Sequence, residues 1–312
     1  MQVTVIGAGA MGSLFGGLLQ RAGNVVTLVD VRADHVAALQ RRGLTIEEPE
    51  GPKITVRPTA TTGVGNALAA DLFVLFVKTP FTTDALRPFA GRIPAGAMVL
   101  SLQNGIGNEE AITRSLGRRV HVALGVTAHG ATALGPTTIR HRVGGPTIIG
   151  LPDGQRTPEL EAIATCFSAA GIATRTTRHI SEHVWQKLLV NVGINALTAL
   201  TSTTNGALFD DPELAALVRR LVGEAASVMR SEGIPAPPRD PVDFVRAVAE
   251  ATRAERSSML EDLDNGRRTE IDAINGSIVR LGERHGVDVT ANRVVTTLVH
   301  QYAKRQANSR AK

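Results

Sequence analysis

The stretch VWQKLLVNVGINALTAL (184–200) carries an ammonium group and two amides inside an otherwise apolar run: Lys187, Asn191 and Asn195, spaced by four. At ~3.6 residues per turn, positions four apart advance about 40° around a helix axis, so the three form one narrow stripe. Val184, Trp185, Leu188, Leu189, Val192 and Leu197 fall on other faces. An unpaired buried ammonium is costly, and a surface face normally collects more charge than one Lys and two amides. The stripe therefore predicts a polar cleft. A lysine in a partly dry cleft has a lowered pKa. It can stabilise negative charge developing on an oxygen and then donate a proton. The amides both donate and accept, so they can grip an anionic hydroxy acid without adding charge.

A second chemical signal lies at the start of the chain. GAGAMG places Gly7, Gly9 and Gly12 in the G-x-G-x-x-G spacing, after an apolar β-rich run and before a helical pattern. Gly7 permits the tight turn, Gly9 lets a pyrophosphate approach the backbone, and Gly12 lets the helix pack on the strand. With Ala8, Ala10 and Met11 this turn reads as a dinucleotide site, the free N–H groups of the helix facing the phosphates, and the alternative is a structural βα turn that binds nothing. Asp30 closes the second strand, 23 residues after Gly7. An acid there accepts from both ribose hydroxyls and favours NAD. Arg32 lies two residues on and could pair with a 2′-phosphate, which favours NADP, or remain a solvated loop charge.

Other polar groups are candidates with bland alternatives. Asn104, in LQNGIG, lies past the C-terminal edge of a strand, where open α/β sheets bind ligands, but Asn-Gly also makes ordinary turns. In RSSMLEDLDNGRRTEID (256–272), Ser257 and Ser258 precede an apolar pair, and a helix expected over 269–285 would put Glu270 in its first turn, favoured by the dipole. His121 and His129 flank a strand-like run and read as solvated or capping. His179 and His183 are four apart and could form a metal pair on a helix, yet no third ligand has suitable spacing, so no metal is expected.

The elements that must position these groups change character along the chain. Strands at 3–7, 25–30, 71–78 and 98–102 alternate with helices at 10–23 and 33–43, which implies a parallel sheet covered on both faces. The Thr-, Val- and Gly-rich stretches 44–57 and 120–150 predict extra or antiparallel strands. Beyond about Arg178, helices dominate: 181–200, 211–232, 240–255, 269–285 and one near 291–306. GIPAPPRDP (233–241) breaks them. The expectation is a Rossmann-type domain over residues 1–178 and an all-helical domain over 179–312. The basic tail 304–312 reads as frayed and solvated.

Composition narrows the classes. The 312 residues suffice for two domains, and with aromatics at 3% the core must rely on Leu, Val, Ile and Ala. The net charge of +5 suits anionic small molecules. No dense Lys/Arg run is interleaved with aromatics, so nucleic acid is not the expected partner. No apolar run approaches the ~18 residues of a membrane helix, and no leader peptide is evident. The single cysteine, Cys166, permits no intrachain disulfide, fits a reducing cytoplasm and reads as a small buried hydrophobe on a helix.

Taken together, GAGAMGSLFG, Lys78 in FVKTPFTTDAL, LQNGIGNEE, VWQKLLVNVGINALTAL and SSMLEDL…GRRTEIDAINGSIVRLGERHGV resemble the ketopantoate reductases (2-dehydropantoate 2-reductases) over essentially the whole chain. The resemblance implies an active site in a cleft between the two domains and a place in pantothenate biosynthesis. It implies hydride transfer from a reduced nicotinamide, NADP or NAD, to C2 of 2-dehydropantoate. Carried over by position, Lys187 is the general acid, and Asn191, Asn195, Asn205 and Ser258 bind substrate. Lys78, Asn104 and Ala131 touch the cofactor, and Glu270 lies near both cofactor and lysine, where it would orient the lysine. Family members specific for NADPH carry an Arg after strand two without the preceding acid, whereas this chain has VDVRADH. Two alternatives stand beside this: an NADH-dependent reductase of another branched or aromatic 2-keto acid, and a nicotinamide-binding sensor without turnover, which would need no proton donor. The apolar helices could pack within one chain or between two, as in a homodimer.

Overall fold

Short runs of apolar and β-branched residues, buried end to end, build the sheet that carries the glycine-rich turn. The computed structural model describes Met1–Arg310. It separates into two compact units: Met1–Gln103 with Asn108–Ile180, and Asn104–Gly107 with the chain from Ser181 onward. In the first, the strands are β1 (Gln2–Ile6), β2 (Val25–Val29), β3 (Leu44–Glu47), β4 (Ile54–Val56), β5 (Thr59–Thr61), β6 (Leu72–Leu75), β7 (Met98–Ser101), β8 (His121–Thr127), β9 (Gly130–Ala133), β10 (Thr138–Val143), β11 (Thr147–Gly150) and β12 (Thr174–Thr176). The helices are α1 (Ala10–Arg21), α2 (Ala33–Arg42), α3 (Thr82–Leu86), α4 (Asn108–Leu116) and α5 (Pro158–Ala169).

The main sheet runs β12-β11-β8-β7-β6-β1-β2-β5. Strands from β8 to β5 are all parallel, and only β11 meets β8 antiparallel. The chain moves outward from β1 through β2 to β5, then crosses back to β6, so the strand order reverses between β1 and β6. That reversal opens the crevice where open α/β sheets take ligands. Both faces are covered, as the continuous apolar strands require. Val3, Val5, Leu72 and Val74 pack with Leu14, Phe15 and Leu18 of α1 and Phe167 of α5. Their alternates Ile6, Phe73 and Leu75 pack with Leu86 of α3 and Ile112 of α4. The stretches 44–57 and 120–150 do supply the extra strands: β4-β3-β10-β9 form a second sheet, with β3 parallel to β10.

The second unit is helical: α6 (Ile180–Thr201), α7 (Pro212–Ser231), α8 (Pro241–Ala251), α9 (Ser258–Asp264), α10 (Asn275–His285) and α11 (Thr290–Arg310). The architecture is a Rossmann-type α/β unit followed by an all-helical one. Helix α6 is central. Leu188, Leu189 and the run from Val192 to Ala199 are buried, and a Cβ on Gly193 would meet Val222 at 2.8 Å. A buried polar lattice ties α6 to its neighbours. Asn275 Nδ2 donates to the Val192 carbonyl (3.2 Å) and to Asn292 Oδ1 (3.0 Å), while Asn292 Nδ2 donates to Glu224 Oε2 (2.9 Å). Each of these contacts satisfies a group that would be costly to bury alone.

Three boundaries differ from the sequence reading. The helix expected from Thr269 begins at Asn275, because the N–H groups of Ala273 and Ile274 both donate to the Glu270 carbonyl and Ile274 leaves helical dihedrals (φ −100°, ψ −96°). Glu270 therefore precedes a tight turn and has no first-turn dipole role. His179 lies ahead of α6, so it does not share a helix with His183. The basic tail continues α11 as helix through Arg310, and Ala311 and Lys312 lie outside the described residues. Cys166 sits on α5 half-buried, its thiol donating to Asn24 Oδ1 (3.2 Å).

Ser257 joins α9 to α6. Its hydroxyl accepts from Leu260 N (3.2 Å) as N-cap and from Thr198 Oγ1 (2.7 Å), and it is buried. Ser257→Ala is expected to cost about 1–2 kcal/mol, the loss of a helix cap with a buried partner. Urea denaturation of the two proteins measures it, and an unchanged midpoint would show the cap to be dispensable.

Candidate active site

The glycine turn leads straight from β1 into α1. Gly7 has φ +99°, and a Cβ there would meet Val77 N at 2.7 Å. A Cβ on Gly12 would overlap the Gly7 carbonyl oxygen, so side chains are excluded at both positions. Gly9 differs: among the described residues, nothing lies within 4 Å of where its Cβ would be. The backbone there is bare and open rather than packed. Helix α1 also starts without a side-chain cap or a first-turn acid among the described residues, whereas Thr157, Asp211 and Asp240 cap α5, α7 and α8. Free N–H groups, a positive helix end and an open Gly9 fit the pyrophosphate of a dinucleotide. A cavity of about 360 Å³ adjoins this turn, lined by Ala8, Gly9, Ala10, Arg32, His35 and the β9–β10 hairpin.

Asp30 and Arg32 lie together beside that turn. Arg32 Nε and Nη2 donate to Asp30 Oδ1 and Oδ2 (2.8 and 2.9 Å), a two-point ion pair. The N–H groups of Arg32 and Ala8 also donate to Oδ1 and Oδ2, each at 3.0 Å. Burial pushes the Asp30 carboxyl up, but the hydrogen bonds and charge of Arg32 outweigh it and hold the group below the usual carboxylate range. Of the other cofactor candidates, Lys78 follows β6 and Ala131 lies on β9 opposite His141, both half-buried.

The second unit gathers the remaining candidates. Lys187, Asn191 and Asn195 lie on one helix, α6, at the expected four-residue spacing. Glu270 is buried and accepts from Asn104 Nδ2 (2.9 Å). Asn104 is held there by its neighbour: Gly105 has φ +81°, and a Cβ on it would overlap the Ala273 carbonyl oxygen. Burial draws the Lys187 ammonium below the ordinary lysine range, and the Glu270 carboxylate opposes that drop without cancelling it. Lys187, Glu270 and Asn104 thus form one electrostatic group.

Two amides carry open atoms. Asn191 Nδ2 is a buried donor without a partner among the described residues, and Asn205 Oδ1 is a buried acceptor likewise. The orientation of the second amide follows from its neighbour. Thr252 Oγ1 gives its proton to the Val248 carbonyl (2.8 Å), so it must accept from Asn205 Nδ2 (3.0 Å), leaving Oδ1 open. Such groups are expected to meet a ligand, since an unmet buried polar atom is costly. Ser258 opens α9 and is exposed, one residue beyond the capping Ser257.

Sequence reasoning missed a chain of three side chains in the first unit. His129, expected to be solvated or capping, is half-buried, and its Nδ1 lies 3.0 Å from His141 Nε2. His141 Nδ1 in turn lies 2.6 Å from Glu48 Oε2. The registers of β3 and β9 on β10 bring these residues together, and nothing in their spacing announces it.

Comparison with known proteins agrees with the geometry. Family models described as ketopantoate reductase PanE/ApbA and ketopantoate reductase PanE/ApbA C terminal match residues 3–154 and 179–303. The 2-dehydropantoate 2-reductases of Halobacterium salinarum and Pyrococcus horikoshii are each 37% identical over 96% of this chain, covering 98% and 96% of their own lengths. A PanE/ApbA family ketopantoate reductase from Ralstonia eutropha superposes with a TM-score of 0.90 at 34% identity, over 98% of this chain and all of that one. D-mandelate dehydrogenase with NADH and anilino(oxo)acetate gives 0.88 at 27% identity, over 98% of this chain and all of the other. The chain belongs to the ketopantoate reductase family.

Proposed function

We propose that the protein reduces 2-dehydropantoate to pantoate, with Lys187 as the proton donor. The observation that carries this reading is the grouping of Lys187, Glu270 and Asn104, with Asn191, four residues along α6 from the lysine, holding an open, buried donor. A reduced nicotinamide cofactor, when bound, supplies the hydride that adds to C2. The Lys187 ammonium stabilises the alkoxide charge that appears on the C2 oxygen, transfers a proton to it, and is reprotonated from solvent. Glu270 holds the lysine charged and oriented, and Asn104 fixes the carboxylate. Asn191 Nδ2 donates to a substrate oxygen, and Asn195 and Ser258 complete the polar wall. We read the two compact units as the cofactor-binding and catalytic domains.

Asn205 selects the substrate. Its open Oδ1 demands a donor, and 2-dehydropantoate carries a C4 hydroxyl that can provide one. That demand disfavours an aromatic 2-keto acid, the reading that the similarity to D-mandelate dehydrogenase otherwise supports. The acid without this hydroxyl, 3,3-dimethyl-2-oxobutanoate, should show kcat/KM at least ~10-fold lower, the effect of leaving a buried acceptor unmet. Asn205→Ala should narrow that gap; equal discrimination by both proteins would remove Asn205 from substrate choice.

For the cofactor, the Asp30–Arg32 pair supports NADPH. Four donors already fill the Asp30 carboxylate, so it has no free edge for the ribose hydroxyls, and its charge is offset by Arg32. Arg32 remains half exposed and keeps its Nη1 edge for a 2′-phosphate. Arg32→Ala is expected to raise KM for NADPH at least ~10-fold, the loss of a charge-assisted contact. It should leave NADH use equal or better, because Asp30 is released. Wild-type preference for NADH would overturn this assignment.

The lysine sets the pH dependence. A general acid acts while protonated, so the rate of reduction falls as pH rises through its pKa. Because burial lowers the Lys187 pKa, this falling limb should lie below that of an ordinary lysine. Glu270→Gln removes the opposing carboxylate and should move the limb to still lower pH. Lys187→Ala should reduce kcat by at least ~100-fold. A profile that Glu270→Gln leaves in place, or a Lys187→Ala enzyme with near wild-type turnover, contradicts the mechanism.

A further inference from the structure

The Glu48–His141–His129 chain ends on a buried nitrogen, His129 Nε2, that has no partner among the described residues. We propose that this chain is an oriented hydrogen-bond relay whose open end receives an N–H or O–H of the nicotinamide half of the bound cofactor. The inference rests on the reading of the protein as a nicotinamide-dependent reductase.

The direction of the chain follows from its first member. A carboxylate only accepts, so His141 Nδ1 donates to Glu48. We assign His141 the neutral tautomer, whose Nε2 accepts, so that His129 Nδ1 donates to it. His129 Nε2 is left with a lone pair facing away from the chain. Burial draws the His129 pKa down against the pull of Glu48, so the ring stays neutral near pH 7. A neutral imidazole with one nitrogen fixed and the other open is an oriented acceptor, and the ligand it suits is a hydrogen-bond donor.

Its place in the fold points to the cofactor. His129 lies two residues beyond the C-terminal end of β8, on the sheet edge where α/β folds bind ligands. Its backbone N–H donates to Thr127 Oγ1 (3.2 Å), which fixes the loop. The ring packs edge-on against Phe15 of α1, at 5.6 Å between centroids, and Phe15 packs on Phe76 at 4.9 Å. Phe76 in turn borders Gly7, whose Cβ would lie 3.0 Å from its carbonyl carbon. His141 stands opposite Ala131 in the ladder. Phe15 and Phe76 thus connect the relay to the glycine turn, the last link running through the Phe76 backbone.

The sheet order selects which half of the cofactor is involved. Asp30 and Arg32 follow β2, and His129 follows β8. From β2 through β1, β6 and β7 to β8 is four inter-strand steps, about 19 Å at ~4.8 Å each. With the adenosine ribose at Asp30 and Arg32 and the pyrophosphate at Gly9, the far end of the edge falls to the nicotinamide and its ribose. Glu48 and His141 are then positioning residues, and His129 contacts the cofactor.

The test is equilibrium binding of NADPH, NADH, ADP and 2′,5′-ADP to the full chain, wild type against His129→Ala, His129→Gln and Glu48→Gln. The expected result is at least ~10-fold weaker dinucleotide binding by His129→Ala, the effect of one unmet polar contact. ADP and 2′,5′-ADP should bind as in wild type. His129→Gln, which returns an acceptor, should recover part of the loss, and Glu48→Gln should show the same pattern more weakly. Should His129→Ala fail to fold, Glu48→Gln and His129→Gln decide alone. The reduced 3-acetylpyridine analogue, which lacks the amide N–H, identifies the donor. If wild type and His129→Ala bind it alike, the carboxamide is the partner; if it loses as much as NADPH, a ribose hydroxyl is. Equal weakening of dinucleotide and adenosine fragments, or no weakening of either, overturns the relay's role while leaving the reductase reading intact. Wild-type protein that binds no nicotinamide cofactor overturns both.

Discussion

A lysine ammonium drawn out of water is the constraint on which the catalytic unit depends. Left alone, a buried cation would lose its proton or pull its helix toward solvent. Here Glu270 opposes the loss of charge, and Asn104 fixes Glu270 in turn. The opposition is partial, so Lys187 remains a cation that gives up its proton more readily than an exposed lysine would. Full neutralisation by Glu270 would make a stable salt bridge and a poor acid. No carboxylate at all would leave a neutral amine with no proton to give. The useful state lies between these limits, and the turn at 270–274 sets it by holding Glu270 ahead of α10 rather than within it.

The rest of the helical unit keeps that geometry fixed. Helix α6 has apolar neighbours on most faces, so packing alone would leave its rotation and height weakly specified. Asn275 grips the Val192 carbonyl, five residues on from the lysine, and Thr198 grips the Ser257 that caps α9. Directional bonds of this kind specify one arrangement where apolar contacts alone tolerate several. A similar logic governs the cofactor side. Gly7 and Gly12 stand where side chains would collide, and at Gly9 between them the space is open.

Much of this was legible in the sequence, for physical reasons that can be named. Buried parallel strands must be continuously apolar, so β1, β2, β6 and β7 announced themselves. The Lys187–Asn191–Asn195 stripe was readable because helical spacing converts directly into position on a face. The glycine motif was readable because only its own turn makes those three positions intolerant of a Cβ or bare to a ligand. The start of α10 differs from the expectation because the chain turns tightly at 270–274 and Ile274 leaves helical dihedrals, which the propensities of these residues do not announce. The pairing of Asp30 with Arg32 was ambiguous for a related reason: two signals for two cofactors become one ion pair only when the side chains meet. His129, His141 and Glu48 were not legible as a unit, since strand register, set late and non-locally, brings them together.

The ionisation of Lys187 is the quantity on which the mechanism turns, and it can be measured without turnover. Protein labelled with carbon-13 at lysine Cε, titrated by NMR with Lys187 assigned through Lys187→Arg, reports its midpoint directly. A midpoint clearly below the ordinary lysine value of 10.5, and lower still in Glu270→Gln, is expected. A midpoint at or above 10.5 that does not respond to Glu270 would contradict the assignment of Lys187 as a buried proton donor governed by that carboxylate.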